Sequence, residues 1–109
     1  MDQLEDQPDL LISFEVALDG DHHATVTIAG ELDMTGIDPL AAKVQNAFDN
    51  GVTRLTVDVG GVRFADSSAI ALWVRWASVV QEFELRDPPA LLRRVILAMG
   101  LDDKLGVES

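Results

Sequence analysis

The chain has 109 residues, a common size for a single domain, and 48% of them are hydrophobic, enough for an independent core. Its 19 acidic residues outnumber 8 Lys and Arg, and the resulting net charge of −11 disfavours nucleic acid and anionic membranes as partners. The absence of cysteine excludes disulfides, thiolate metal sites and cysteine nucleophiles. An acidic domain is instead suited to a basic protein surface.

The first nine residues are acidic and polar and offer little to bury. We expect residues 1–9 to form a flexible acidic tail and residues 10–109 to form one domain. Such a start is unlike a signal peptide, and no apolar run approaches the roughly 18 residues of a membrane span. Together with the lack of cysteine, these features predict a cytoplasmic protein.

Alternating apolar and polar residues predict two strands joined by a turn at Asp19-Gly20-Asp21. Asp38 followed by Pro39 predicts the start of a helix, and Asn50-Gly51 predicts its end. A third strand, over residues 54–59, then follows. The order strand, helix, strand predicts a βαβ unit with a right-handed crossover.

The next helix is strongly apolar and runs from Ser68 to about Gln81, with Trp73 and Trp76 expected to pack in the core or at its rim. Its narrow polar stripe comprises Ser68, Ala71, Arg75, Ser78 and Glu82. A short strand follows over 83–86, Asp87-Pro88-Pro89 opens a last helix, and residues 105–107 are predicted to form a final edge strand.

One acid and two hydroxyls stand between the third strand and the apolar helix, at Asp66-Ser67-Ser68. Asp and Ser are preferred N-cap residues, because their side-chain oxygens accept hydrogen bonds from the free amides of the first turn. By themselves, these residues predict only a helix cap. Because Ser68 heads the polar stripe, we expect it to face outward while Ser67 or Asp66 caps the helix.

Three motifs, in this order along the chain, resemble the STAS domain of bacterial anti-sigma factor antagonists from Leu10 onward. They are Gly30-Glu31-Leu32-Asp33, the run from Val57 to Ser68, and Asp87-Pro88-Pro89 with Arg93-Arg94-Val95 and Gly100-Leu101-Asp102. The resemblance implies the α/β STAS fold, a small mixed β-sheet of about four to five strands covered by three to four helices. It implies no catalytic site.

In such antagonists the unmodified domain binds an anti-sigma factor, often a GHKL-type serine kinase, and so frees a sigma factor for transcription. Phosphorylation ends the binding, and a PP2C-type phosphatase restores it. The resemblance implies that Ser68 is phosphorylated, with Ser67 as second choice. The partner surface that it implies comprises Asp33, Asp66, Ser67, Ser68, Ala69, Ala71 and Arg75.

The chain departs from the family after this serine, where Ala69-Ile70 replaces the usual Gly-Leu. A methyl group at Ala69 reduces backbone freedom, and we expect it to hinder docking into a kinase. The segment between Ser68 and Pro88 is also a few residues shorter than usual.

The residues give little support for catalysis. The spacing G-x-S-x-G is absent, and His22 and His23 lie in the hairpin turn, where we expect them to be solvated. No further metal ligands follow at recognisable spacing, so we expect no enzyme activity, metal or cofactor.

A different role remains open, because STAS domains also occur as accessory or scaffold subunits of lipid-transport complexes and of stress-sensing assemblies. The wide apolar arc of the second helix suits such a permanent partner. The sequence leaves the oligomeric state open between a monomer and a weak dimer.

Overall fold

The structure, a computed structural model, describes residues 12–20, 22–32 and 34–107. The expected tail over residues 1–9 lies outside these ranges. The elements follow in the order β1 (Ile12–Leu18), β2 (His23–Leu32), α1 (Met34–Asp49), β3 (Arg54–Ala65), α2 (Ser67–Val79), β4 (Glu82–Arg86) and α3 (Ala90–Ala98).

The four strands form one mixed sheet in the order β1-β2-β3-β4. β1 pairs antiparallel with β2 and places Phe14 opposite Ile28, which confirms the hairpin. β3 runs parallel to both β2 and β4. Because parallel strands cannot be joined by a tight turn, α1 provides the crossover between β2 and β3 that the sequence predicted.

The core lies between one face of this sheet and the helices α1 and α2. Alternate strand residues point into it, among them Val26 and Val57, which are fully buried. Trp73 is also fully buried and Trp76 nearly so, which places both in the core and not at its rim. Each large apolar side chain buried in this way contributes about 1.5–3 kcal/mol relative to exposure.

Two helix boundaries differ from the sequence-based expectation. α1 begins at Met34 and not at Asp38, so Pro39 lies inside it, because the apolar face that packs on the sheet already includes buried Ile37. α2 ends at Val79 and not near Gln81. There the Gln81 amide donates to the Thr53 carbonyl at 2.8 Å, which draws the chain into β4.

The predicted last strand over residues 105–107 is wrong, because this segment forms a turn against the edge of β4. The Leu85 amide donates to the Leu105 carbonyl at 2.9 Å, and Leu105 is fully buried. Gly106 adopts a φ of +63°, which a continuing strand does not allow. The described residues therefore contain four strands and three helices, within the expected ranges.

Gly106→Ala should destabilise the fold, because a left-handed backbone costs a non-glycine residue about 1–2 kcal/mol and the added Cβ would lie 2.5 Å from the Phe83 carbonyl oxygen. Gly100→Ala is the matched control, since Gly100 has a similar φ of +72° but no atom within 4 Å of the added Cβ. Urea unfolding should show a larger loss of free energy for Gly106→Ala than for Gly100→Ala. Equal losses would contradict the close packing at Gly106.

Candidate functional site

The loop between β3 and α2 is fixed to the end of β2. Leu32 pairs with Ala65, and the Asp66 amide donates to the Leu32 carbonyl at 3.3 Å. The first residue of α2 is Ser67. The start of the helix therefore has a defined position relative to the sheet.

Two register shifts lie just before this loop, where β2 pairs with β3 between Thr27 and Ala29 and between Gly30 and Glu31. A Cβ at Gly61 would lie 2.9 Å from the Ala29 Cβ, closer than side chains approach. Glycine at position 61 is thus required for the two strands to pair here. Each shift interrupts the regular alternation of side chains along β3, so it changes the face of the sheet from which the last residues of this strand project.

Asp66 caps α2. Its backbone is extended, with φ −94° and ψ −176°, and its Oδ1 accepts hydrogen bonds from the amides of Ser68 at 3.0 Å and Ala69 at 3.2 Å. These bonds satisfy two free amides of the first turn, and a carboxylate at a helix N-terminus also interacts favourably with the helix dipole. Of the two candidate caps, Asp66 therefore fills the role and Ser67 does not.

We expected Ser68 to face outward, but Ser67 is the more exposed of the two serines. Ser67 is exposed, whereas Ser68 is half-buried. Ser67 rather than Ser68 shares the exposed stripe of the helix with Ala71, Arg75 and Ser78, because these residues follow it at intervals of three or four. Ser68 lies at the border of this stripe.

Ala69 does not belong to a partner surface through its side chain. It is fully buried, because its position on α2 faces the core. A partner at this position could therefore contact only the backbone of Ala69, and both its assignment to the partner surface and the expected effect of its methyl group on backbone freedom stay predictions. Ala71 and Arg75 are exposed, and Asp33 lies outside the described residues.

Phe64 is an exposed aromatic residue that the sequence analysis missed. It lies in β3 two residues before the cap, and 52% of its surface is accessible. Simple alternation along β3 does not identify it, because the register shift beside it interrupts the period of two. The pair Gly60-Gly61 is unusual inside a strand, and from the sequence it could have indicated that the pairing of β3 is irregular here.

The histidines lie at the other end of β3. His22 is exposed, as expected, whereas His23 is half-buried, and both are hydrogen-bonded. His23 Nδ1 lies 2.7 Å from Asp19 Oδ1, and its Nε2 lies 2.9 Å from Thr56 Oγ1. His22 Nδ1 lies 3.0 Å from the Gly51 carbonyl oxygen. These contacts tie the hairpin turn to neighbouring segments and place neither imidazole near the serines.

Within residues 12–20, 22–32 and 34–107, no cluster of three or more His, Asp or Glu side chains has an arrangement that would hold a metal ion. In the same part of the chain, no helix is both long enough and apolar enough to cross a membrane.

Residues 16–107 match the family model described as "Mlab, STAS domain". Solved structures with the same fold include SpoIIAA, an anti-sigma factor antagonist, in its unphosphorylated form. It shares 20% identity over 89% of each chain, with a TM-score of 0.75. An anti-sigma factor antagonist from Mycobacterium paratuberculosis shares 22% identity over 88% of this chain and 84% of its own, with a TM-score of 0.78.

The phosphorylated form of SpoIIAA, described as a Bacillus cell fate determinant, is also similar. It shares 22% identity over 89% of this chain and 92% of its own, with a TM-score of 0.72. No curated protein matches the sequence.

Asp66→Ala should cost about 0.5–2 kcal/mol of unfolding free energy, because two amides of α2 lose their acceptor. Asp66→Asn should lose less, since its amide oxygen still accepts. Ser67→Ala, one residue away, is the matched control and should stay within about 0.5 kcal/mol of the original chain. Urea unfolding measures all three, and a loss in Ser67→Ala as large as that in Asp66→Ala would contradict the assignment of the cap.

Proposed function

The chain belongs to the STAS domain family, and from that premise we propose that it is a bacterial, cytoplasmic anti-sigma factor antagonist. In its unphosphorylated form it binds an anti-sigma factor, which is itself a serine kinase of the GHKL type, and so frees the sigma factor. Phosphorylation of Ser68 ends the binding, and a PP2C-type phosphatase restores it. The structural likeness to two anti-sigma factor antagonists supports this role.

The observation that carries the proposal is the accessible start of α2. Ser67 is exposed and Ser68 half-buried, and the exposed side chains of Ala71 and Arg75 continue along the same side of the helix. The cap at Asp66 holds this surface in place. A partner that docks here meets a fixed row of small and polar side chains, and its contacts surround both hydroxyls.

A phosphate on Ser68 is compatible with the folded domain. A phosphoserine carries about −1.5 to −2 charge at pH 7, and the helix dipole favours an anion at its N-terminus by about 0.3–1 kcal/mol. The carboxylate of Asp66, which already occupies the amides of Ser68 and Ala69, opposes part of this gain. The net effect on the fold is therefore small.

At a protein interface the same phosphate is unfavourable. Burying an unpaired charge costs several kcal/mol, and about 1.4 kcal/mol already weakens binding tenfold. Phosphorylation thus ends binding at the contact surface without unfolding the domain.

The two serines are distinguished by different observations. The family resemblance assigns the phosphate to Ser68, whereas exposure alone favours Ser67. We take Ser68 as the phosphorylated residue because it is only half-buried and its motif position matches that of the family.

Incubation with a candidate anti-sigma factor kinase and ATP should add one phosphate, measured by intact mass. Ser68→Ala should abolish the gain, whereas Ser67→Ala should retain it. Loss of the gain only in Ser67→Ala would move the modification to that serine. Absence of any phosphate with each kinase that binds the domain would overturn the switch.

Ser68→Glu should weaken binding of the anti-sigma factor at least about tenfold, because a permanent carboxylate would be buried at the interface. Ser78→Glu is the matched control, since Ser78 is exposed on the same helix but lies near its other end. Titration calorimetry gives both affinities. An equal loss of affinity in the two variants would contradict a contact at Ser68. It would mean that the partner binds elsewhere or that only the added negative charge matters.

A second candidate is an accessory subunit of a lipid-transport or stress-sensing complex, without phosphorylation. Val79 on the last turn of α2 is 63% exposed, which suits a permanent protein contact, and the matching family model is described as "Mlab, STAS domain" rather than as an antagonist. Recovery of a transport ATPase in place of a GHKL-type kinase on affinity capture would favour this role.

A further inference from the structure

β1 forms one edge of the sheet, and within residues 12–20, 22–32 and 34–107 no strand pairs with its other side. Its seven residues pair with β2 at consecutive positions, from Ile12 with Gly30 to Leu18 with Ala24, without a bulge. Proteins commonly protect an edge strand with a Lys, a Pro or a bulge. β1 has none of these, so it lacks the usual protection against pairing with another strand.

The hydrogen bonds of the hairpin show which backbone groups β1 directs to this edge. The Asp19 amide donates to the His23 carbonyl at 3.1 Å, so residue 19 bonds toward β2. Along an antiparallel strand, residues that bond to the neighbouring strand alternate with residues whose amides and carbonyls point the other way. Every second residue of β1, counted back from residue 18, therefore offers its amide and carbonyl to the open edge. These residues are Ile12, Phe14, Val16 and Leu18.

β1 also leaves apolar side chains uncovered. Side chains of alternate residues project from the same face of a strand, so Phe14, Val16 and Leu18 share the face that turns toward the core. Phe14 and Val16 are half-buried, and Leu18 is 60% exposed. An occupant of this edge therefore needs both a strand backbone and apolar side chains on this face.

We propose that a second copy of this chain is the occupant, and that the two β1 strands pair antiparallel about a two-fold axis at Val16. Val16 then lies opposite its own counterpart, and Phe14 of each copy lies opposite Leu18 of the other. Each such pair exchanges two backbone hydrogen bonds. Leu18 covers the half-buried Phe14, so β1 itself meets both requirements of the edge.

The charges along β1 agree with this register. Each copy carries a net charge of −11, which opposes association unless acids are kept apart at the contact. Glu15, the one charged residue of β1, lies opposite Ala17 of the second copy. Asp19, which contacts His23, lies opposite Ser13 of the second copy. Within residues 12–20, no acid therefore faces another across the contact.

Neighbouring registers are less favourable. An axis at Glu15 would place the two Glu15 side chains directly opposite each other, and an axis at Ala17 would place Glu15 opposite Asp19. Like charges in directly opposite positions destabilise a strand pair. An axis at Phe14 avoids this but places Leu18 beyond the end of the other β1, where it has no partner in that strand.

The opposite edge of the sheet limits the assembly to two copies. A two-fold contact uses the same edge of both chains, so only β4 remains for a third copy. There the Leu85 amide already donates to the Leu105 carbonyl at 2.9 Å. The expected product is therefore a closed dimer.

The inference goes beyond the proposed function, because it uses neither serine at the start of α2 and needs neither a kinase nor a sigma factor. β2 separates β1 from β3, the strand that leads into α2. The dimer therefore presents the start of α2 twice, at a distance from the contact between the copies.

Sedimentation equilibrium of the full chain at increasing concentration should show a monomer and a dimer and no larger species. A monomer at every concentration up to about 1 mM, where even a weak contact is populated, would overturn the proposal. Species larger than a dimer would contradict the closed two-fold contact.

Amide hydrogen exchange, followed by NMR over the same concentrations, locates the contact. The amides of Val16 and Leu18 should exchange at least about tenfold more slowly once the dimer predominates, because exchange then proceeds through the remaining monomer. The amides of Glu15 and Ala17 bond to β2 and should be protected at every concentration. Protection of Val16 and Leu18 that does not depend on concentration would mean that another part of the same chain covers β1, which would overturn the proposal.

Charge changes at Ala17, an exposed residue, test the register. Ala17→Glu places a second carboxylate opposite Glu15 at both symmetric positions, so the dissociation constant of the dimer should rise at least about threefold, whereas Ala17→Lys forms cross-strand ion pairs and should lower it. Ala98→Glu and Ala98→Lys are the matched controls, since Ala98 is exposed on α3. They should leave the dissociation constant within about twofold, because distant surface charges are screened by salt. Equal effects at positions 17 and 98 would contradict the register.

Discussion

Two hydrogen bonds, from the amides of Ser68 and Ala69 to one oxygen of Asp66, start α2 directly at the end of β3. The Asp66 amide in turn donates to Leu32, so that β2, β3 and α2 meet at a single residue. Successive helix residues differ by about 100° in direction. The buried face of α2, which includes Ala69 and Trp73, packs on the core and leaves Ser67 on the exposed side of the helix.

The cap also sets the electrostatic environment of the site. A carboxylate at the start of α2 stabilises the helix, but it occupies the donors that a second anion nearby would otherwise use. The Asp66 carboxylate therefore stabilises α2, and it weakens the binding of a phosphate group by the same amides. A modification here changes what the surface presents to a partner more than it changes the fold.

Much of the fold follows from local sequence pattern. Alternation along the strands identified the hairpin around Phe14 and Ile28. The residue types before α2 predicted that Asp66 or Ser67 caps this helix, and Asp66 does so. The relative exposure of the two serines was not predictable in the same way. Both serines lie about one helical turn before Ala71, and only the packing of α2, which buries Ala69 and Ile70, shows that Ser67 is the more exposed of the two.

The same distinction explains the helix and strand boundaries. Pro39 is a strong local signal for a helix start, but the burial of Ile37 on the sheet extends α1 before it. Residues 105–107 have the composition of a strand, yet the left-handed backbone of Gly106 and the packing against Phe83 make them a turn. Tertiary contacts thus override local preference where a segment meets the sheet.

The turn that contains Leu105 has a consequence for the solubility of the chain. An open sheet edge presents unpaired backbone groups on which another chain can add a strand, and this is a common route to aggregation. At β4 the Leu105 carbonyl engages the Leu85 amide, and the close approach of Gly106 to the Phe83 carbonyl leaves no room for an added strand there. The segment after α3 therefore covers this edge of β4 and prevents another chain from pairing with it.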